Sequence, residues 1–152
     1  MSRPCPSLVI GLGSPHGDDQ AGWALVDRLE QRGMMSAQRV RDGVELLAAL
    51  EGHDDVILVD ASAPAGEPGR TRAFTWPCGE LAEVPLLSTH GLGLVEALRM
   101  AETLGNLPRK VTIIAVESAA ALAGTPVSAA VEQALDGLAE RLLSDDSLRR
   151  QS

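Results

Sequence analysis

Asp19, Asp60 and His90 fall where short apolar runs give way to loops or to the start of a helix. Two carboxylates and an imidazole form an oxygen-rich set suited to a divalent first-row ion, with positions left for water or a substrate group. The set contains no thiolate, which separates it from closed structural zinc sites. Glu117, after a β-branched run, is a further acidic side chain at an equivalent place. In open α/β sheets ligands collect outside the carboxyl ends of the strands, so the place of these residues in the fold counts for more than their spacing. The ordinary alternative is that, among 21 acidic residues, several sit at strand ends as turn caps. A histidine at a helix start serves equally well as a cap or a solvated side chain.

The loop Gly11-Leu12-Gly13-Ser14-Pro15-His16-Gly17 invites a dinucleotide-binding reading and fails it. The third glycine of that fingerprint would stand at position 16, which is His16. Asp18 and Asp19 would meet a pyrophosphate at the helix start and repel it. No P-loop and no Gly-x-Ser-x-Gly element occurs, and Ser88-Thr89-His90 is not a nucleophile motif. The glycines are expected to let the chain turn sharply so that a carboxylate projects from the sheet edge. Ser14 and Ser88 are candidate hydrogen-bonders near such a site. His16 reads as a solvated loop residue, and His53, Asp54 and Asp55 as belonging to a turn before a strand.

The elements that must position these residues alternate in the βαβ manner. Leu8–Leu12, Val56–Val59 and Val111–Val116 are continuous apolar runs, as in strands buried on both faces. Gln38–Arg41 and Thr71–Trp76 read as further strands, the second an edge strand. Helical spacing runs through Ala21, Ala24, Leu25 and Leu29, then through Val44, Leu47 and Leu50, and then from about His90 through Leu98. A last helix is expected to start at Thr125-Pro126, with Thr as N-cap and Pro at the first helical position. The Pro- and Gly-rich stretch 61–69 reads as a loop and 77–88 as an irregular connection. The fold class expected is α/β: a three-layer α/β/α sandwich with a mostly parallel, twisted sheet of about five strands. One domain spans 1–152, with frayed ends at 1–7 and 144–152.

Composition narrows the partners. The 152 residues are 45% hydrophobic and 22% charged, enough apolar material for one core. A net charge of −8 argues against nucleic acid, whose phosphates need clustered cations. The only aromatics are Trp23, Phe74 and Trp76, too few for a base-stacking platform. Cys5 and Cys78 do not form a disulfide framework and suit a reducing cytoplasm. No signal-peptide run and no apolar stretch of membrane-spanning length is present, so a cytoplasmic protein without a membrane partner is expected.

Taken in order, Gly11-x-Gly13, Asp18-Asp19-x-x-Gly22, Asp42-Gly43-x-Glu45-Leu46-Leu47, Val59-Asp60-Ala61 with Pro68-Gly69, and Thr89-His90-x-x-Gly93 resemble the hydrogenase maturation protease family. The resemblance runs from about Leu8 to Leu143. It implies a nickel-dependent endopeptidase that removes a short C-terminal extension from the precursor of a [NiFe]-hydrogenase large subunit. It also implies that Asp19, Asp60 and His90 share the metal contacts and the catalytic role; Asp42 and Glu117 stand beside them as secondary site candidates. The nickel would be carried by the substrate, and a surrogate divalent ion would occupy the free enzyme. Ser14 stands where the family usually has Asn, in a loop about one residue shorter than usual. Asp19 stands where Glu is frequent, and the usual Asp-Gly-Gly-Thr-x-Gly stretch is contracted to Asp42-Gly43-Val44. That contraction keeps a second class of function in view, a metal-binding assembly factor without proteolysis. A small-molecule hydrolase or phosphorylase on a similar fold is a third; it would need an anion site, for which Arg41, Arg70 and Arg99 are scattered.

Overall fold

The computed structural model describes residues 7–87, 92–119 and 126–144. Five strands, β1 (Leu8–Leu12), β2 (Ala37–Val40), β3 (Asp55–Ser62), β4 (Thr71–Thr75) and β5 (Lys110–Glu117), form one sheet in the order β2-β1-β3-β5-β4. All neighbours are parallel except β4, which pairs antiparallel with β5 at the edge. Helices α1 (Ala21–Gln31), α2 (Gly43–Leu50), α3 (Leu94–Leu104) and α4 (Ala129–Leu143) cover its faces. The expected α/β sandwich with a mostly parallel sheet is therefore the fold observed, and its edge strand β4 runs antiparallel.

Alternation along the strands divides the core into two. Leu8, Ile10, Leu12, Val56, Leu58, Ile113 and Ala115 face α2 and α3. Val9, Ile57, Val59, Ile114 and Val116 face α1 and α4. Because both faces are covered, the central strands must be apolar throughout, which is why they appear in the sequence as unbroken runs. Asp60 interrupts such a run. It does not follow β3, as expected, but lies inside it, opposite Ala115 and two residues from Leu58 on the α2–α3 face. Glu117 likewise is the last residue of β5 and not the residue after it.

Other boundaries also shift. Asp18 and Asp19 lie in a 3₁₀ turn, Gly17–Gln20, that precedes α1 and does not belong to it. Among the described residues the helix expected near His90 begins at Leu94. The last helix begins at Ala129, behind Ser128, and not at Pro126. Ser128 is held in extended conformation because its backbone N–H and its hydroxyl both donate to Asp18. Fraying does not reach Ser7, which is buried and donates to Asp55 at 2.9 Å. The connection after β4 contains a second 3₁₀ turn, Gly79–Glu83, and Leu86 pairs across to Ser62.

Candidate active site

The chain order reverses between β1 and β3: from β1 it winds outward to β2, then returns to β3 and continues to the other side. The carboxyl ends of two strands leading in opposite directions leave a crevice there, the usual ligand position in such sheets. Asp19 follows β1, and Asp60 lies near the end of β3, so the two carboxylates flank this point.

Helix α1 reaches the crevice because glycine lets it sit directly on the strands. A Cβ on Gly22 would lie 2.3 Å from the Leu12 carbonyl oxygen and 2.7 Å from that of Val59. Gly11 meets Gly22 from the other side, where a Cβ would stand 2.1 Å from the Gly22 oxygen. Backbone therefore packs on backbone, and the 3₁₀ turn ahead of α1 is drawn against β3. Gly11 and Gly13 were expected to supply a sharp turn, yet neither has positive φ; in this loop only Gly17 does, at +52°. Their role is close approach.

Asp19 is held by its own loop. Its carbonyl accepts the Ser14 N–H at 3.1 Å, its N–H donates to the His16 carbonyl at 3.0 Å, and the Ser14 hydroxyl donates to its Oδ2. Its other carboxylate oxygen, Oδ1, is buried and has no hydrogen-bond partner among the described residues. None of the described Lys or Arg side chains forms an ion pair with it. Asp60 is wholly buried, at 0% exposure. A carboxylate taken out of water is costly unless a hydrogen-bond donor or a cation compensates it. An oxygen-preferring divalent cation in the crevice would offset that cost at the unbonded oxygen of Asp19.

The third expected ligand, His90, lies outside the described residues, as does Ser88. Among the described residues no three His, Cys, Asp or Glu side chains converge as a metal-binding group. What is described is the chain that follows His90 in sequence, from Leu92 onward. Gly43 donates its N–H to the Leu92 carbonyl at 2.8 Å, and a Cβ there would stand 2.4 Å from the same oxygen. Beside it, Asp42 caps α2 by accepting the Glu45 N–H at 3.0 Å. The contracted Asp42-Gly43-Val44 segment is thus a helix cap that anchors the chain two residues after His90.

Glu117 ties a loop at the same edge of the sheet. Its Oε2 accepts the N–H groups of Ala65 at 3.1 Å and Glu67 at 2.5 Å, while its backbone bonds Gly69 and Arg70. Glu117→Ala would remove both bonds, but Ala65 and Glu67 are exposed and water can take up their amides, so each lost bond costs about 0.5–1.5 kcal/mol. We expect a lower urea midpoint, corresponding to a loss of about 1–3 kcal/mol, with the m-value unchanged.

The carboxylate that sequence reasoning missed is Asp18. It is 2% exposed and accepts three bonds: from Ala119 N–H at 2.7 Å, Ser128 N–H at 2.7 Å and Ser128 Oγ at 2.9 Å. Charge-assisted bonds of this kind contribute about 1.5–3 kcal/mol each and offset the burial. Its partners are more than a hundred positions away, so no local pattern announces them. The one available signal was the Asp-Asp pair itself, since adjacent residues on a tight turn point in different directions. His16 is exposed, as expected.

Comparison with known proteins places this arrangement among others. Residues 41–145 match the model of the hydrogenase maturation protease family. The hydrogenase maturating endopeptidase HybD from Escherichia coli superimposes with a TM-score of 0.77 at 25% identity, covering 97% of this chain and 94% of that one. The hydrogenase 2 maturation peptidase from a Thaumarchaeota archaeon gives 0.65 at 26% identity, over 91% and 95% of the two chains. The maturation protease HybD from Thermococcus kodakarensis gives 0.75 at 20% identity, over 90% and 96%, and shares the fold. No curated protein sequence matches the chain.

Proposed function

Since the chain belongs to the hydrogenase maturation protease family, we propose that it cleaves the C-terminal extension from a [NiFe]-hydrogenase large-subunit precursor that already carries nickel. Asp19, Asp60 and His90 are its contacts to that nickel. The observation that carries the reading is the pair of carboxylates at the β1/β3 switch point, one wholly buried and the other with a buried oxygen lacking a hydrogen-bond partner among the described residues. Carboxylate and imidazole ligands suit a first-row divalent ion, and with only three side chains the site holds such an ion weakly by itself. It holds the ion firmly once the precursor supplies the remaining ligands. Discrimination between loaded and empty precursor then follows from binding energy alone.

The residues of this chain act mainly by placement. Ser14 holds one oxygen of Asp19, so the carboxylate presents the other in a fixed direction. Asp60, fixed in β3 between β1 and β5, gives the crevice a rigid floor. Nickel bound between them would bring the adjoining peptide to the sheet edge, where a Lewis acid polarises a carbonyl or activates a bound water.

The test is to incubate the purified protein with nickel-loaded and nickel-free precursor and to read the mobility shift on a gel. We expect the loaded form alone to be shortened. Cleavage of neither form, or equal cleavage of both, would overturn the proposal. Stable co-purification with an uncleaved loaded precursor would point instead to an assembly factor without proteolysis.

A further inference from the structure

We infer that Asp18 is the positioning residue for Asp19, fixing the turn that presents it by tying that turn to the two ends of the β5–α4 connection. This rests on the reading of Asp19 as a nickel contact, and it extends that reading to a residue that touches no metal.

The 3₁₀ turn Gly17–Gln20 is short. It is four residues long, has no side-chain cap at its N-terminus, and is entered through Gly17 at φ +52°. Its own hydrogen bonds join Ser14, His16 and Asp19 to one another, and the Gly13 N–H ties the start of the loop to the Val40 carbonyl of β2 at 3.2 Å. On its carboxyl side it is anchored by the contact of Gly22 with β1 and β3. On its other side the anchor is Asp18. One buried carboxylate takes up Ala119, just beyond β5, and Ser128, just before α4. Both backbone donors are rigidly placed: Ser118 bonds back to the Ser62 carbonyl at 2.9 Å, and Ser128 accepts the Glu132 N–H of α4 at the same distance. The direction of Asp19 is therefore referred to β3, β5 and α4 at once. Support of a metal ligand from behind normally changes metal affinity about 10–100-fold when removed.

Asp18→Asn keeps the shape but replaces one acceptor oxygen with an amide that faces N–H and O–H donors. Ser128→Ala removes only the hydroxyl bond and serves if Asp18→Asn does not fold. Ser7→Ala cuts the hydrogen bond to Asp55 at the opposite end of the sheet and is the control for general loss of stability. The first readout is amide hydrogen exchange in the metal-free full chain. Asp18→Asn is expected to speed exchange at Ser14 and Asp19 by about tenfold or more, Ser128→Ala by less, and Ser7→Ala not at all at these two amides. The second readout is kcat/KM on nickel-loaded precursor, expected to fall about 10–100-fold in Asp18→Asn and to be unchanged in Ser7→Ala.

Unchanged protection of Ser14 and Asp19 in both Asp18→Asn and Ser128→Ala would overturn the inference. So would equal acceleration in Ser7→Ala. If exchange responds as expected while Asp19→Asn leaves cleavage intact, the turn is positioned by Asp18 but the nickel reading of the site is what fails.

Discussion

Asp60→Asn is expected to reduce cleavage of nickel-loaded precursor by about 100-fold or more while the chain still folds. Asparagine matches aspartate in shape, so the packing between Leu58 and Ala115 is kept and the thermal transition remains cooperative. What is lost is the charge. An amide is a poor ligand for a divalent ion, and removal of a direct contact should exceed the 10–100-fold typical of its supporting groups. Because Asp60 is wholly buried, water cannot replace the missing oxygen without rearrangement of β3. The measurement is kcat/KM beside circular dichroism of the same preparation. Wild-type cleavage by a folded Asp60→Asn protein would remove Asp60 from the site. A protein that binds loaded precursor weakly but cuts what it binds at the normal rate would make Asp60 a recognition residue only.

The largest stability effect is expected at Gly22, where Ala should cost about 3 kcal/mol or more and lower Tm by roughly 6–12 °C. The added methyl has no compliant neighbour. All three of its nearest atoms, at 2.3, 2.7 and 2.8 Å, are backbone atoms of Leu12 and Val59 in two central strands. Relief requires α1 to lift from the sheet, and the turn carrying Asp18 and Asp19 would lift with it. Activity should therefore fall together with stability. Gly137→Ala is the contrasting case. It lies in the middle of α4 with nothing within 4 Å of the added carbon, and should stabilise by about 0.5–1 kcal/mol through helix propensity alone. If Gly22→Ala melts within a degree or two of wild type, the backbone-on-backbone contact is not holding α1 down.

Gly11 and Gly13 mark the line between what could and could not be read in advance. Leu8–Leu12 and Val111–Val116 were legible as central strands because burial on both faces demands continuous apolar sequence. The order of layers followed from the βαβ rhythm. Asp19 and Asp60 were legible as site candidates because carboxyl ends of parallel strands are where ligands gather. The purpose of Gly11 and Gly13 was misread, since a glycine needed for close approach looks the same in sequence as one needed for a turn. Here the approaching groups, Gly22 and Asp19, are supplied by a later segment. The start of α4 was misplaced for a related reason. Thr125-Pro126 has the local chemistry of a helix entrance, but Ser128 is committed to Asp18, 110 positions earlier. Asp42 was ranked as a secondary site residue and is engaged as the cap of α2, a function its Asp-Gly-x-Glu setting also fits.

Asp18 gives the molecule a particular order of completion during synthesis. The glycine loop, the 3₁₀ turn and α1 leave the ribosome early, while Ser128 is added 110 residues after Asp18. At about 5–20 residues per second that is an interval of roughly 5–20 s. Throughout it, a carboxylate destined for the interior stays in water, and the turn that presents Asp19 lacks one of its anchors. A nascent chain long enough to pair β1 with β2 and β3 can therefore form the switch point before it can aim the Asp19 side chain. Ordering of that turn is among the last events in the birth of the protein, timed by the arrival of α4.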